Sequence, residues 1–331
     1  MTILIDPPTW PAHGTVWSHL VSDHDYEELH AFARVLGLPR RGFDLDHYDV
    51  PARLHDRAVE LGARPVSGKD VLAALQAAGL RVRQVDRVTV TGPRRREYLA
   101  GEWEVLGRRL GIGSAAGPAG AGAAGRGSGS GSGSDSHPMD RWTGFGAGLL
   151  ARWNEPHRGY HDERHLEDVL LSLDQISVRG EFVAEDTLLA AWFHDAVYAG
   201  AAGVDEADSA RLAVSSLAEL GVAPGLAQRV GEHILATEPG RDAAAASPAL
   251  AQLLDADLAI FAAPVSRYEQ YAHDVRREYS HVPDREFARG RSAILAAYLD
   301  RDTIYLTPTG RKLWEARARA NVTAELARLR G

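Results

Sequence analysis

Three short stretches of this chain carry residue types that chelate metals. YHDERHL holds His165, with His161 one helical turn before it; FHDAVY holds His194 and Asp195 side by side; LLDADLAIF holds Asp255 and Asp257. The intervals between them are long enough to place the donors on three separate helices. Imidazole with carboxylate suits Mn, Fe, Co, Ni, Zn or Mg, the hard oxygens turning the choice away from copper. Consecutive helical residues point about 100° apart, so His194 and Asp195 can both reach an ion between their directions. Asp255 and Asp257 point about 200° apart and would not share one ion. The surrounding AAWFHDAVYAG is apolar and predicts a buried helix, where an unpartnered polar group costs on the order of 2–7 kcal/mol. Something must therefore hold His194 and Asp195. By spacing alone, a metal ion and an ordinary hydrogen bond with a helix cap are both open.

A second polar cluster lies in residues 1–80: Asp6, His13, His19, Asp23, His24, His30, Asp44, Asp46, His47 and Asp49. Within it GFDLDHYDV is dense in carboxylate and imidazole, a composition for binding a metal, for acid–base work, or for a solvated loop. His19, Asp23, His30, His47 and Asp49 form the candidate site of this part. Trp10 and Trp17 are expected in the core, with base stacking as the alternative.

The elements that must position these groups follow from pattern. Residues 111–138, rich in Gly, Ala and Ser, cannot bury enough surface to offset ordering entropy and read as a flexible linker. They separate a first part, 1–110, from a second, 139–331. The first part reads as a strand at 3–5 stopped by Pro7-Pro8, helices at 25–37, 51–62 and 68–79, a strand or strand pair at 81–90, and a helix at 95–110. This is a small α/β or α+β domain. In the second part apolar residues recur at helical spacing through 163–176, 184–199, 206–220, 225–237, 248–262, 264–280, 284–300 and 308–330, with Asp186, Asp205 and Ser247 as caps. That is an all-α bundle of seven or eight helices.

Composition narrows the function classes. The chain of 331 residues has a net charge of -8 and no cysteine, which excludes disulfides and thiolate metal sites. The first part is close to neutral and the second carries the acidic excess, which argues against nucleic acid as the partner, since phosphate neutralisation dominates such affinity. The N-terminus has neither the basic nor the apolar region of a signal peptide, and no run approaches the roughly 18 apolar residues of a membrane span. A soluble cytoplasmic protein is expected; its oligomeric state is left open.

Several stretches of residues 142–330 resemble the HD superfamily of metal-dependent phosphohydrolases, in its bacterial branch of predicted hydrolases: YHDERHLEDVL, AAWFHDAVY, DEADSARLA, HILAT, LLDADLAIF, YEQYAHDVRREYSHVP, FARGRSAIL and EARARANVTAEL. The resemblance implies an HD-type bundle in which His165, His194, Asp195 and Asp257 hold a divalent metal ion, with Asp255 as the alternative to Asp257. It implies Glu206 beside the site, positioning water or a substrate group, and Tyr160, His161 and Tyr198 as neighbours of the ligands. Asp195 is then the candidate general base, and Arg276, Arg277 and Arg291 are available to clamp phosphate, or to form salt bridges on exposed helix faces. Where the family pattern often shows a further histidine after HILAT, this chain has Glu238-Pro239-Gly240, which argues against a second ion held there; His233 reads as a surface helix residue. The implied activity is hydrolysis of a phosphate ester on a nucleotide or other small phosphorylated metabolite. The alternative is an HD fold kept as a non-catalytic ligand-sensing module partnered with the N-terminal domain. In the first part IDPPTW, WSHLVSD, ELHAFA and DLDHYDV are similar to a small bacterial family of unknown function.

Overall fold

The computed structural model describes residues 1–12, 14–114, 137–241 and 246–331. His13 and most of the expected linker (115–136) lie outside them. Residues 1–95 with 171–182 form one compact unit, and 96–170 with 183–331 the other.

The first unit is built on a five-stranded sheet: β1 (Ile3–Ile5), β2 (Trp10–Ala12), β3 (Thr15–Ser22), β4 (Tyr48–Pro51) and β5 (Arg64–Pro65). The long strand β3 is its spine. It pairs antiparallel with β2 through Thr15 to Trp17, with β4 through Trp17 to Leu20, and with β1 through Leu20 to Ser22. β1 also pairs in parallel with β5. Helices α1 (Tyr26–Leu36), α2 (Ala52–Glu60) and α3 (Gly68–Ala77) complete the α/β domain. Local capping signals start and stop them. Asp25 caps α1 by accepting from Glu28 N, Gly37 ends it in the left-handed region at φ 80°, and Ser67 opens α3 in a capping box with Asp70.

Strand alternation divides the core. Ile3, Ile5, Leu20, Tyr48 and Val50 pack on one face with Leu29, Ala33 and Leu36 of α1 and Ala58 of α2. Leu4 and Val21 face the other way, onto Val71 and Leu75 of α3. Trp10, expected in the core, is half exposed on the short strand β2.

The strand expected at 81–90 is absent. Residues 84–86 form one 3-10 turn that runs into α4 (Arg87–Arg109). Val85 and Val88 are among the most exposed apolar side chains of the protein, so this β-branched run has no sheet or core to pay for a strand. Helix α4 instead continues to Leu99, Trp103 and Leu106, which are buried in the second unit.

That unit is helical throughout its described residues: α5 (Pro138–Trp153), α6 (Glu163–Ser177, shared with the first unit), α7 (Glu185–Phe193), α8 (Val204–Glu219), α9 (Pro224–Leu235), α10 (Pro248–Asp257), α11 (Val265–Glu278), α12 (Asp284–Leu299), α13 (Pro308–Leu313) and α14 (Glu315–Arg330). Two boundaries differ from the periodicity. Helix α7 stops at Phe193 rather than running to 199, and the last stretch breaks at Trp314 into α13 and α14. Asp186 and Asp205 lie inside their first turns, while Ser247 caps α10 as expected by accepting from Leu250 N. Among the described residues no single helix is long and apolar enough to cross a membrane.

A reciprocal tryptophan pair joins α4 to α5. Trp103 Nε1 donates to Trp142 O and Trp142 Nε1 to Trp103 O, each at 2.8 Å, with the rings stacked 4.2 Å apart. The approach is so close that a Cβ on Gly107 or Gly146 would strike the opposing indole. Gly146→Ala should therefore destabilise the protein by about 1–3 kcal/mol through overpacking, read as a lower urea midpoint of tryptophan fluorescence.

Candidate metal centre

Helix α6 presents His165, the end of α7 presents His194 and Asp195, and the end of α10 presents Asp257. Their donor atoms converge. His165 Nε2 lies 3.1 Å from His194 Nε2 and 3.1 Å from Asp257 Oδ1. His194 Nε2 lies 3.2 Å from Asp195 Oδ2 and 3.6 Å from Asp257 Oδ1, and Asp195 Oδ2 is 3.7 Å from His165 Nε2. Both histidines are buried, while the two carboxylates keep a narrow exposure.

The chain end of α7 explains how adjacent residues reach one point. His194 N makes the last helical bond, to Ala190 O at 2.8 Å, and the chain then leaves the helix. Asp195 is thus not bound to helical spacing. The side chain of Arg158, wholly buried, donates to the carbonyls of Asp195 (2.8 Å), Ala196 (3.3 Å) and His161 (2.8 Å), groups of the loops flanking α7 and α6 that no helical ladder pairs. Glu155 balances its charge at 3.1 Å.

His194 Nδ1 lies 2.9 Å from Ala191 O, so this nitrogen carries the proton and Nε2 turns a lone pair inward. His165 Nε2 stands 3.1 Å away and its Nδ1 has no partner among the described residues, so either a proton on His165 Nε2 or a cation between the rings keeps two lone pairs from facing each other. Burial opposes a charged His194, but Asp195 and then Asp257 outweigh burial and raise its pKa well above the usual imidazole range. Asp195 and Asp257 are lowered in return, His194 and His165 overcoming the burial of each carboxylate. A divalent cation satisfies the same field, and the donor spacings resemble the edges of a coordination polyhedron with metal–ligand bonds of about 2.0–2.2 Å. The donor set fits a metal ion.

Asp255 is turned elsewhere. It is buried and accepts from Leu306 N, Thr307 N and Thr307 Oγ1, each at 2.7 Å, tying the segment before α13 to α10. Burial, only partly offset by these bonds, pushes its pKa up to about 6.

A cavity of about 430 Å³ opens beside the donors. His194, Asp195, Asp257, Tyr160, His161, Tyr198, Glu206 and Arg291 all line it, with Phe261, Tyr271, Tyr279, Phe287 and Tyr298 as aromatic walls. Arg276 is not among them: it donates to Tyr279 O (2.5 Å) and Val282 O (2.9 Å) and pairs with Asp284 (2.7 Å), fixing the turn between α11 and α12. Arg277 pairs with Asp274 at 3.1 Å. Arg291 is anchored to Glu325 (2.9 Å) and to Tyr271 Oη (2.8 Å). Glu206 accepts from Gly203 N at 2.6 Å in the first turn of α8, and its pKa is raised, burial being the main cause. His233, expected on an exposed face, is buried in α9 and does not line the cavity.

Glu278 is the organiser that motif reading missed. Its Oε1 accepts from the backbone N of Gly159, Tyr160 and His161 at 2.6, 2.7 and 2.9 Å. Its Oε2 takes Nδ1 of His161 at 2.8 Å and Tyr198 Oη at 2.9 Å. Burial opposes this carboxylate, but the hydrogen bonds and charge of His161 hold its pKa near 2. His161 is raised in turn: Glu278 overcomes the cost of burial. The imidazole stacks on Tyr198 at 4.3 Å. The only sequence signal was that an acidic residue sits at the end of an amphipathic helix, where cations are favoured.

In the first unit His19, His47 and Asp49 come together. Asp23 does not join them, accepting instead from Thr2 N at 2.7 Å. Nor does His30, whose Nδ1 lies 3.0 Å from Tyr48 Oη beside Phe43.

Residues 3–78 match a family described as a protein of unknown function (DUF4031), in keeping with the likeness of IDPPTW, WSHLVSD, ELHAFA and DLDHYDV. Comparison of the chain with curated proteins and with solved structures gives no match.

Burial, and then the charges of Arg40, Arg34 and Arg94, push the pKa of His30 down to about 3, from 6.5 when unfolded. Protonation therefore favours the unfolded chain: the stability of neutral His30 is complete above its unfolded pKa and is lost as pH falls toward the folded one. Urea denaturation should show less loss of stability between about pH 7 and pH 5 in His30→Gln than in the parent. Equal losses would contradict the assignment.

Proposed function

We propose that the helical unit is a metal-dependent phosphohydrolase of the HD type, acting on a phosphate ester of a nucleotide or another small phosphorylated metabolite. The observation that carries this reading is the convergence of His165, His194, Asp195 and Asp257 at the wall of a cavity large enough for such a substrate. A divalent ion held by these four residues would lower the pKa of its water and neutralise charge on a phosphoryl group.

The chain's own groups supply the rest. Asp195, whose Oδ2 would face the ion, keeps its second carboxylate oxygen to accept a proton as general base. His161, its pKa raised by Glu278, can offer Nε2–H, when protonated, to a phosphoryl or leaving-group oxygen. Arg291, aimed by Glu325 and Tyr271, offers its guanidinium to the same anion. The aromatic walls suit a flat ring such as a nucleobase, by stacking. Glu206 borders the cavity as a further acceptor for water or a substrate hydroxyl.

The test is a screen of nucleotide monoesters and diesters with the full chain, each of Mn, Fe, Co, Ni, Zn and Mg supplied in turn. Asp257→Asn should remove activity and metal at this site while the protein stays folded by circular dichroism. Asp255→Asn should lower the melting temperature and leave the metal in place. His161→Gln should cost about a hundredfold in kcat or more with metal content unchanged. A protein that binds metal at the four residues and hydrolyses none of these esters would instead be a ligand-sensing module.

A further inference from the structure

The sheet of the first unit carries its own convergent donor set. His47 and Asp49 are two residues apart along β4 and its entry, so they project from the same face. The register pairs His19 with Asp49 across β3 and β4, which puts His19 beside them. Val21, two residues beyond His19, lies under α3 with Leu4 and Val71. The three polar residues occupy the stretch of that same face next to the α3 core. One donor atom from each lies within 4.8 Å of the donors of the other two.

Both imidazoles are oriented from behind by buried carboxylates. His19 Nδ1 lies 2.9 Å from Asp6 Oδ2, and His47 Nδ1 lies 2.6 Å from Asp46 Oδ1. Asp6 is itself locked by His19 N (2.5 Å) and Trp10 Nε1 (3.2 Å), and Asp46 by Val82 N (2.7 Å) and Arg81 (2.8 Å). With Nδ1 protonated toward a carboxylate, Nε2 of each ring is left as the free donor, the arrangement that metal-binding histidines use. His47 Nε2 is 3.6 Å from Asp49 Oδ1, whose side chain is half exposed. The turn that delivers Asp46 and His47 holds Leu45 at φ 64°, a conformation a branched side chain avoids.

We propose that His19, His47 and Asp49 form a divalent transition-metal site on the N-terminal sheet, with Asp6 and Asp46 as positioning residues and a coordination position open to solvent beside Trp10. Two imidazoles and one carboxylate suit Zn, Fe, Mn or Co, and three protein ligands leave room for water or a substrate oxygen. The indole of Trp10, half exposed and 5.0 Å from the His19 ring, forms one side of that opening. The rival arrangement, a charged His47 bridging Asp46 and Asp49, needs no second imidazole. It leaves unexplained why His19, braced by its own carboxylate, is brought within 4.9 Å of His47.

The test is titration of the full chain with Co(II), followed by visible absorption and by metal analysis after desalting. Four proteins are compared: the parent, His19→Ala/His47→Ala, Asp49→Asn and His194→Ala. The parent should bind two ions per chain, and His19→Ala/His47→Ala and His194→Ala one each. Asp49→Asn, which alters an exposed side chain, should stay folded by circular dichroism and bind the sheet ion at least about tenfold more weakly. The proposal is overturned if folded His19→Ala/His47→Ala keeps the parent's stoichiometry and spectrum, if Asp49→Asn binds as the parent does, or if folded His194→Ala binds no cobalt. One ion in both the parent and His194→Ala, with none in His19→Ala/His47→Ala, would uphold this site and remove the metal from the helical one.

Discussion

Two imidazole nitrogens face each other at 3.1 Å in the interior of the helical unit, with a carboxylate against each. Two lone pairs at that distance repel, and two carboxylates of narrow exposure do not keep their charges unpaired. A proton or a cation must sit among the four groups, and the surrounding structure holds them in place for it. The Ala191 carbonyl fixes the tautomer of His194, and Arg158 collects the carbonyls freed where α7 ends. Trp153, its Nε1 bonded to Trp192 O, lays its ring within 5.5 Å of His194 and closes the apolar side. Removing any of these would leave the donors loose in a region with little water to satisfy them.

Buried carboxylates do the complementary work of joining segments. Glu278 gathers three successive backbone N–H groups ahead of α6 together with His161 and Tyr198. Asp255 holds the segment before α13, and Glu315 accepts from Ile304 N and Tyr305 N just upstream of it. Charge-assisted bonds of this kind are about twice as strong as neutral ones, so a few of them order loops that carry no regular hydrogen-bond ladder. Asp255 and Asp257 show how far apart two such roles stand on one helix: two residues of separation turn one carboxylate to a structural loop and the other to the histidines.

The two donor sets reach convergence by different physics. In the helical unit the ligands come from helix interiors and helix ends, and their meeting depends on how three helices pack. On the sheet, strand alternation and register suffice: His47 and Asp49 share a face, and antiparallel pairing delivers His19 opposite Asp49. His194, His19 and His47 are each oriented through their second nitrogen, by a carbonyl at His194 and by carboxylates at His19 and His47, while Nδ1 of His165 has no such partner among the described residues.

Local signals determined a good deal. Residue type and helical periodicity marked out an α/β part, a helical part and the cap at Ser247, and the resemblance added the candidates His165, His194, Asp195 and Asp257. Each of these is decided within a turn or two of chain. Tertiary structure decided what depends on distant partners. Val85 to Thr91 has strand propensity but no strand to pair with, so it became 3-10 turn and helix. Asp23 and His30 share composition with His19 and His47 but lie off the face that β3 and β4 form. Arg276 was spent on carbonyls of its own turn, and the parts of Arg158, Glu278, Asp6 and Asp46 stayed hidden, because a buried charge takes its role from whichever backbone groups packing leaves unpaired. The sequence alone offered candidate residues; only the packing of helices and the register of strands could say which of them meet.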